Sequence, residues 1–259
     1  MLMKKFFIRK TLFLITAAAV ICEPGYSQKK DTVEMTAQGI LARVDRVMQY
    51  PEGEIQGRIK HITPDGKAYD IDFKGCISRN DFLFFYSSSS RGESLKVLYN
   101  LGGEDIWVYN RHAVQMFHKM GIDRYDRVMS TNFSFIDLSN ADFQSNYNSR
   151  ITGRTLIKGV ECFKLVLDPI YDNSEYGVID IYVTVDKFVP LRIDYHDRDK
   201  VVFKFLSIAK TMEKDGRIIP IRYDMLNIKD GTVTILSYLK FDESMKYNGE
   251  IFRPEKLGE

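Results

Sequence analysis

The sequence predicts a mainly β protein built on a strongly curved antiparallel sheet, an incomplete barrel with one N-terminal helix and a short helical lid. Three observations predict this fold. Apolar and polar residues alternate in roughly ten or eleven short segments joined by tight turns, more than a flat open sheet usually carries. Two of these segments are apolar on both faces, and few helical patterns are present to cover them. Such a sheet is expected to curl around an apolar cleft.

Residues 1–27 have the pattern of a secretory signal peptide. Four cations within residues 4–10 precede an apolar run over residues 12–21, and the small residues Gly25 and Ser27 precede Gln28. The run is shorter than a helix that spans a bilayer, and small residues suit a signal peptidase. We therefore expect cleavage after Ser27, a periplasmic protein and one domain over residues 28–259.

An alternative for the leader rests on Cys22. The sequence before this cysteine faintly resembles a lipoprotein processing site, although Ile21 is bulkier than the usual residue there. In this alternative the protein is a lipoprotein anchored to the membrane through Cys22.

Charge argues against a nucleic-acid partner. The whole chain carries a formal charge of +2, of which the leader contributes +3, so the mature chain carries −1. A chain without excess positive charge does not neutralise phosphates effectively. Nucleic acid is therefore not an expected partner.

The mature chain begins with a helical pattern and continues with strands. Apolar residues at helical spacing predict a helix over residues 31–49, with Thr32 as its cap. Alternation over residues 55–60 and 69–74, around the turn Pro64-Asp65-Gly66-Lys67, predicts the first hairpin. This hairpin has one apolar face, which indicates a sheet with one buried face and one solvent-exposed face.

Two segments depart from this alternation. Residues 82–86 are apolar on both faces, as is the strand that follows the turn Gly102-Gly103 and carries the only tryptophan. We expect these strands to lie in the deepest part of the sheet or to line the cleft. Each aromatic side chain alone is better explained as ordinary core, but the group has few helices to pack against. The predicted cleft wall consists of Phe82, Phe84, Phe85, Trp107, Tyr109 and Phe117.

The middle of the chain loses the strand pattern. Between residues 119 and 147, residues 137–143 predict a short helix or lid, with Ser134 or Asp137 as its cap. From residue 150 to residue 241 the alternation returns as a series of hairpins.

Neither catalysis nor metal binding is indicated. The four histidines and the cysteines lack zinc spacing, and the serines at 87–90 lack the Gly-x-Ser-x-Gly elbow of common hydrolases. We therefore expect no enzyme, no metal and no cofactor. Cys76 and Cys162 remain after the leader, and either a disulfide or two inert buried thiols fits them.

The order of elements resembles the LolA-like outer-membrane lipoprotein-sorting family. The matching segments are LGGEDIWVYN, TNFSFIDL, KGVECFKLVL, IYVTVDKFVPLRIDY, RIIPIRYDM and IFRPEKL, and with ILARVDRVM they extend over nearly the whole mature chain. The resemblance implies an incomplete antiparallel barrel closed by helices, which carries acylated lipoproteins or lipids across the periplasm without covalent chemistry.

Two functions follow from the resemblance. In the first, the protein is a monomeric periplasmic carrier whose partners are lipoprotein acyl chains or lipid, held in the apolar cleft. In the alternative, it is an accessory periplasmic subunit of an inner-membrane lipid exporter and uses the same surface for protein contacts.

Overall fold

Thirteen antiparallel strands form one continuous sheet in the computed structural model, which describes residues 35–171 and 174–259. The predicted signal peptide and Cys22 lie outside the described residues. The strands are β1 (Gly53–Ile62), β2 (Ala68–Ser78), β3 (Asp81–Ser88), β4 (Glu93–Asn100), β5 (Asp105–Asn110), β6 (Gln115–Lys119), β7 (Tyr147–Ile157), β8 (Val160–Pro169), β9 (Val178–Thr184), β10 (Pro190–His196), β11 (Val202–Lys214), β12 (Arg217–Asn227) and β13 (Thr232–Asp242). The helices are α1 (Ala37–Met48) and α2 (Phe143–Asn146).

The sheet consists of two meanders that meet in its middle, the first formed by β1 to β6 and the second by β7 to β13. Its strand order is β6-β5-β4-β3-β2-β1-β13-β12-β11-β10-β9-β8-β7, so the first and last strands of the chain pair with each other. β6 and β7 remain as the two edges. The sheet is therefore an open, incomplete barrel, which confirms the predicted fold class with more strands than expected.

The chain passes from one edge of the sheet to the other between the meanders. Residues 120–146, here called the crossover segment, connect β6 to β7 and include three short 3-10 turns and α2. Side chains of this segment and of α1 pack on the same face of the sheet, which we call the inner face.

The N-terminal helix exists but begins later than predicted. It starts at Ala37, and the hydroxyl of Thr36 accepts a hydrogen bond from the backbone N–H of Gly39 at 3.1 Å. Thr36 therefore fills the capping role predicted for Thr32, which lies outside the described residues. Ile40, Leu41 and Val44 are fully buried against the inner face.

Aromatic side chains fill the inner face of the first meander. Phe82 stacks on Tyr99 across β3 and β4, with ring centroids 5.0 Å apart. Gly75 lies opposite Phe84, where a Cβ atom would come within 2.6 Å of the Phe84 ring. Glycine at this position lets a large ring pack directly on the backbone of β2.

The opposite, outer face of the same strands is also covered, and this corrects an inference from the sequence. Leu83 and Leu98 on this face pack with Phe252 and Leu257 from the C-terminal segment. The segment forms two short 3-10 turns, Gly249–Phe252 and Pro254–Lys256. Leu83 and Leu98 therefore lie between these strands and the C-terminal segment, whereas Phe85 on the same outer face lines a shallow surface pocket.

The predicted lid is a pair of short turns instead of one helix. A 3-10 turn spans Ile136–Leu138, and α2 follows at Phe143–Asn146. The predicted caps are wrong, because Phe135 precedes the 3-10 turn without a side-chain cap hydrogen bond and Asp142 caps α2. Ser134 and Asp137 instead bond to each other's backbone. The backbone N–H of Ser134 donates to the carboxylate of Asp137 at 2.8 Å, and the N–H of Asp137 donates to the hydroxyl of Ser134 at 3.3 Å.

Cys76 and Cys162 are both buried and are free thiols. Burial raises the pKa of each thiol, which makes both less reactive. Of the two alternatives left open by the sequence, the structure favours inert buried thiols. Among the described residues, no helix has the length and apolar character needed to cross a membrane.

The cover of the outer face yields a stability prediction. Replacing Phe252 with alanine is expected to lower the free energy of unfolding by about 3–5 kcal/mol, because a buried aromatic ring is lost. Urea unfolding measures this change. Phe85→Ala is the matched control, because Phe85 also lies at the outer face of the sheet but its side chain is 36% exposed. Equal effects of the two substitutions would show that the C-terminal segment does not stabilise the sheet.

Candidate functional site

A cavity of about 130 Å³ lies between the crossover segment and the inner face of the second meander. Its floor is formed by side chains of β9 to β13, and its roof by residues of the crossover segment. Ten of the side chains that line it are apolar: Met48, Phe133, Ile136, Leu138, Ala141, Phe143, Ile179, Ile193, Leu206 and Leu236.

Tyrosine is unusually frequent in the wall of this cavity. Six tyrosines line it, Tyr50, Tyr147, Tyr176, Tyr195, Tyr223 and Tyr238. Their rings contribute apolar surface with a polar tip. Burial raises the pKa of Tyr50 to about 12, so its phenol is neutral at any physiological pH.

The cavity is smaller than the sites that proteins usually offer to small molecules. Such sites enclose about 300–1,000 Å³. A larger ligand therefore enters only if the roof moves away from the floor, and the contacts that hold the roof become part of the site.

The strongest of these contacts is a buried ion pair. The ammonium group of Lys204 on β11 lies 2.6 Å from a carboxylate oxygen of Asp137 in the crossover segment, and both side chains are almost completely buried. The hydroxyl of Tyr176 donates to the other oxygen of Asp137 at 2.7 Å, and the ammonium group of Lys204 donates to that hydroxyl at 2.7 Å. The ammonium group also lies 4.8 Å and 4.9 Å from the ring centroids of Tyr176 and Tyr195.

A second anchor of the roof is Asn132, which is also buried. Its side-chain amide donates to the carbonyl oxygens of Met225 and Thr232 at 3.1 Å and 3.0 Å. It accepts a hydrogen bond from the hydroxyl of Thr232 at 2.7 Å. The side chain therefore joins the crossover segment to the backbones of β12 and β13.

The helix α1 is joined to the end of the same roof. The carboxylate of Asp45 accepts hydrogen bonds from the backbone N–H groups of Phe143 and Gln144, each at 3.0 Å. These groups begin α2 and have no acceptor within that short helix. Burial raises the pKa of Asp45 to about 6, and the two backbone hydrogen bonds partly oppose that rise.

Tyr50, just after α1, makes the fourth connection to the roof. Its hydroxyl donates to the carbonyl oxygen of Leu138 at 3.0 Å. Its ring packs edge-on against Phe82 and Phe84, with both centroid distances 5.5 Å. The aromatic core of the first meander therefore contacts the cavity through Tyr50.

The structure divides the six predicted wall residues between the two faces of the sheet. Phe82 and Phe84 lie on the inner face and are buried in its core. Phe117 pairs with Val108 on the same face, at the β6 edge, and is 44% exposed. None of these three side chains lines the cavity.

The other three predicted residues lie on the outer face. Phe85 is partly exposed there, whereas Trp107 and Tyr109 pack against the cluster formed with the C-terminal segment. The indole of Trp107 stacks on His118 at 4.0 Å between ring centroids. The six residues therefore do not form one wall, and lipid contact by any of them stays a prediction.

The residues of the candidate site that the sequence did not indicate lie mainly in the second meander. Lys204 interrupts an apolar segment at an inward position, and Asp137 is flanked by apolar residues. A charge within an apolar pattern was the available signal for both. Among the described residues, no group of three His, Cys, Asp or Glu side chains comes together as a metal site.

A family model described as an uncharacterized protein matches residues 79–259. The chain belongs to this family. The match extends from the start of β3 to the C-terminus, so it includes the crossover segment, the whole second meander and the C-terminal segment that covers the outer face. No match was found among curated proteins.

Solved structures show the fold of this family member. A DUF1329 family protein from Desulfovibrio piger has a TM-score of 0.72 at 17% identity, over 85% of this chain and 97% of that chain. A putative outer membrane lipoprotein-sorting protein domain from Vibrio parahaemolyticus has a TM-score of 0.71 at 16% identity, over 85% and 97%. A LolA superfamily protein from Nitrosomonas europaea has a TM-score of 0.67 at 19% identity, over 84% and 97%. The LolA-like fold expected from the resemblance is confirmed.

Neutralising the buried carboxylate of Asp137 should destabilise the protein far more than neutralising the exposed carboxylate of Asp72. Asp137→Asn is expected to lower the free energy of unfolding by about 3–5 kcal/mol, because Lys204 keeps a buried charge without its counterion. Adding Lys204→Met should recover part of this loss by removing that charge. Asp72→Asn, at the exposed Arg58–Asp72 pair, is the control and should change stability little. Equal losses in urea unfolding of the two single variants would contradict a structural role for the buried pair.

Asp45 predicts a defined pH dependence of stability. Its folded-state pKa of about 6 exceeds the ordinary value of 3.8, so between these values the folded protein binds a proton that the unfolded chain does not. The contribution of Asp45 to the free energy of unfolding therefore rises as the pH falls from about 7 to about 4. Asp45→Asn should lack this rise, whereas Asp123→Asn, at an exposed turn, should keep it. Parallel curves for wild type and Asp45→Asn in thermal unfolding across this pH range would refute the assignment.

Proposed function

We propose that this protein is a periplasmic carrier that holds acyl chains without covalent chemistry between the crossover segment and the inner face of the sheet. The observation that carries the proposal is the cavity, which is lined by apolar and tyrosine side chains and covered by a roof fixed at a few polar points. The LolA-like fold supports it by analogy, since two of the similar structures are described as lipoprotein-sorting or LolA proteins.

The chemistry of the cavity suits a chain rather than a reacting group. Each methylene transferred from water to an apolar site contributes about 0.8 kcal/mol, so a long acyl chain needs no covalent bond to stay bound. The roof contains Phe133 and Leu138, whose buried apolar side chains face the floor of the cavity. A chain that enters replaces these contacts, and the crossover segment moves as the cavity fills.

A second function, docking on an inner-membrane exporter, is favoured by a different observation. The edge strand β6 and its flanking turns expose the apolar side chains of Val114, Met116, Phe117, Met120 and Ile122. An edge strand with exposed apolar groups is suited to pair with a strand of a partner protein. Co-purification with a membrane partner that depends on Phe117 and occurs without bound lipid would favour this function.

Fluorescent fatty-acid binding tests the carrier function. Delipidated wild-type protein should bind the probe, and competing fatty acids should displace it. The dissociation constant of the competing fatty acid should fall roughly tenfold for every two added methylenes. Ala141→Trp should weaken binding at least tenfold, because Ala141 lines the cavity and the indole would occupy it. Ala113→Trp, at the exposed turn before β6, is the control.

Circular dichroism and thermal unfolding would establish that both variants fold. Wild-type protein that binds no fatty acid would overturn the carrier function. Binding that Ala141→Trp leaves unchanged would place the acyl-chain site elsewhere on the protein.

A further inference from the structure

A second concave surface lies on the other side of α1. It is a groove of about 800 Å³ between the polar side of this helix and two turns, the one from β9 to β10 and the one from β11 to β12. We call it the basic groove, because Arg43, Arg46, Lys187 and Arg217 line it against one acid, Asp186.

The cations of the basic groove differ in how they are neutralised. Arg217 forms an ion pair with Glu243 at 2.8 Å, and the ammonium group of Lys187 lies 3.8 Å from Glu213. Within the described part of the chain, neither Arg43 nor Arg46 has a carboxylate within ion-pair distance. One nitrogen of Arg43 donates to the sulfur of Met35 at 3.9 Å, and the Nε of Arg46 donates to the carbonyl oxygen of Ala42 at 3.2 Å. The remaining N–H groups of both guanidinium groups, one helical turn apart on the same face, can donate to an anion.

Arg43 is held in place by an aromatic ring. Its guanidinium carbon lies 4.4 Å from the ring centroid of Phe188. Phe188 has a φ of 56°, in the left-handed region that bulky residues rarely adopt. Hydrogen bonds between Thr184 and Val189 close the turn around it. The turn from β9 to β10 therefore keeps strained backbone that places a ring under Arg43, and such strain is often found at ligand contacts.

The basic groove and the cavity are neighbours. Tyr50 lines both of them, and α1 contributes Val47 to the groove and Met48 to the cavity. The last turn of α1 and Tyr50 thus separate an apolar site from a cationic one. A molecule with an acyl chain and an anionic head could occupy both surfaces if this turn moves together with the roof.

We propose that the basic groove binds the anionic headgroup of an amphiphile whose acyl chain occupies the cavity. This inference rests on the carrier function proposed above and adds the class of ligand, a lipid with net negative charge. Arginine suits this role because its planar guanidinium donates paired hydrogen bonds to phosphate oxygens. Arg43 and Arg46 contact the headgroup, and Phe188 positions Arg43.

Two lysolipids with the same acyl chain and different headgroups test whether the protein recognises an anionic headgroup. Lysophosphatidylglycerol has a net negative charge and lysophosphatidylcholine has none, so the ratio of their dissociation constants measures recognition of charge. Wild-type protein should bind the anionic lipid at least tenfold more tightly, and the preference should shrink as salt is raised. The measurement is displacement of the fluorescent fatty acid below the micelle-forming concentration.

Two double variants distinguish the effect of charge in the basic groove from the effect of the net charge of the protein. Arg43→Gln with Arg46→Gln should lose the preference and keep the affinity for the neutral lipid. Lys229→Gln with Lys246→Gln removes two exposed lysines outside the basic groove and should keep the preference. Both pairs change the net charge equally.

The possible failures are distinguishable. Equal binding of the two lipids by wild-type protein, or a preference that survives in the arginine variant, would overturn the headgroup site and leave the carrier function standing. Loss of the preference in the lysine variant as well would also overturn the headgroup site, because overall charge would then explain it. Binding of neither lipid would overturn the carrier function and the headgroup site with it.

Discussion

The buried pair of Lys204 and Asp137 determines where the crossover segment lies. Two charges inside an apolar core are costly unless their geometry and further hydrogen bonds compensate. Here Tyr176 and the backbone of Ser134 supply those hydrogen bonds. A shift of the crossover segment along the sheet would leave Lys204 charged and unpaired in the core. The pair therefore specifies one position of the roof, and the cavity below it exists because the roof has that position.

The open sheet explains why such a roof is needed. An antiparallel sheet with edges at β6 and β7 cannot bury its inner face by closing on itself. The crossover segment and α1 cover that face instead, and Asp45 and Tyr50 join these two pieces. The cover is held by a limited number of polar contacts, each with a modest net contribution of about 0.5–1.5 kcal/mol for a neutral hydrogen bond. Such a cover can be displaced by a ligand that supplies apolar contacts in return.

The two faces of the first meander show how one sequence pattern can have two physical causes. Strands that are apolar on both sides fit a wall beside a cleft and equally fit a layer between two covers. The C-terminal residues Phe252 and Leu257 make the second explanation correct at Leu83 on β3 and Leu98 on β4. The apolar character of those strands thus comes from an outer cover far along the chain, and the cavity lies under the second meander.

The sequence by itself determined the local features of this protein, because short-range periodicity and turn chemistry dictate them. Alternation specified the strands, the turn at residues 64–67 specified the first hairpin, and the spacing of Ile40, Leu41 and Val44 specified the helix. The order of these segments also indicated the LolA-like fold. The mutual hydrogen bonds of Ser134 and Asp137 are local in the same way, since both residues lie in one turn.

Tertiary structure decided the site, because its contacts join residues that are distant in the chain. Lys204 meets Asp137 across 67 positions, and Asn132 reaches Thr232 across 100. The side of the sheet on which Phe82 and Trp107 lie follows from the pairing register, but what covers each side depends on where the crossover and C-terminal segments pack. A pattern of apolar residues predicts that a face of a strand is buried. Which segment of the chain covers that face depends on the packing of the whole chain.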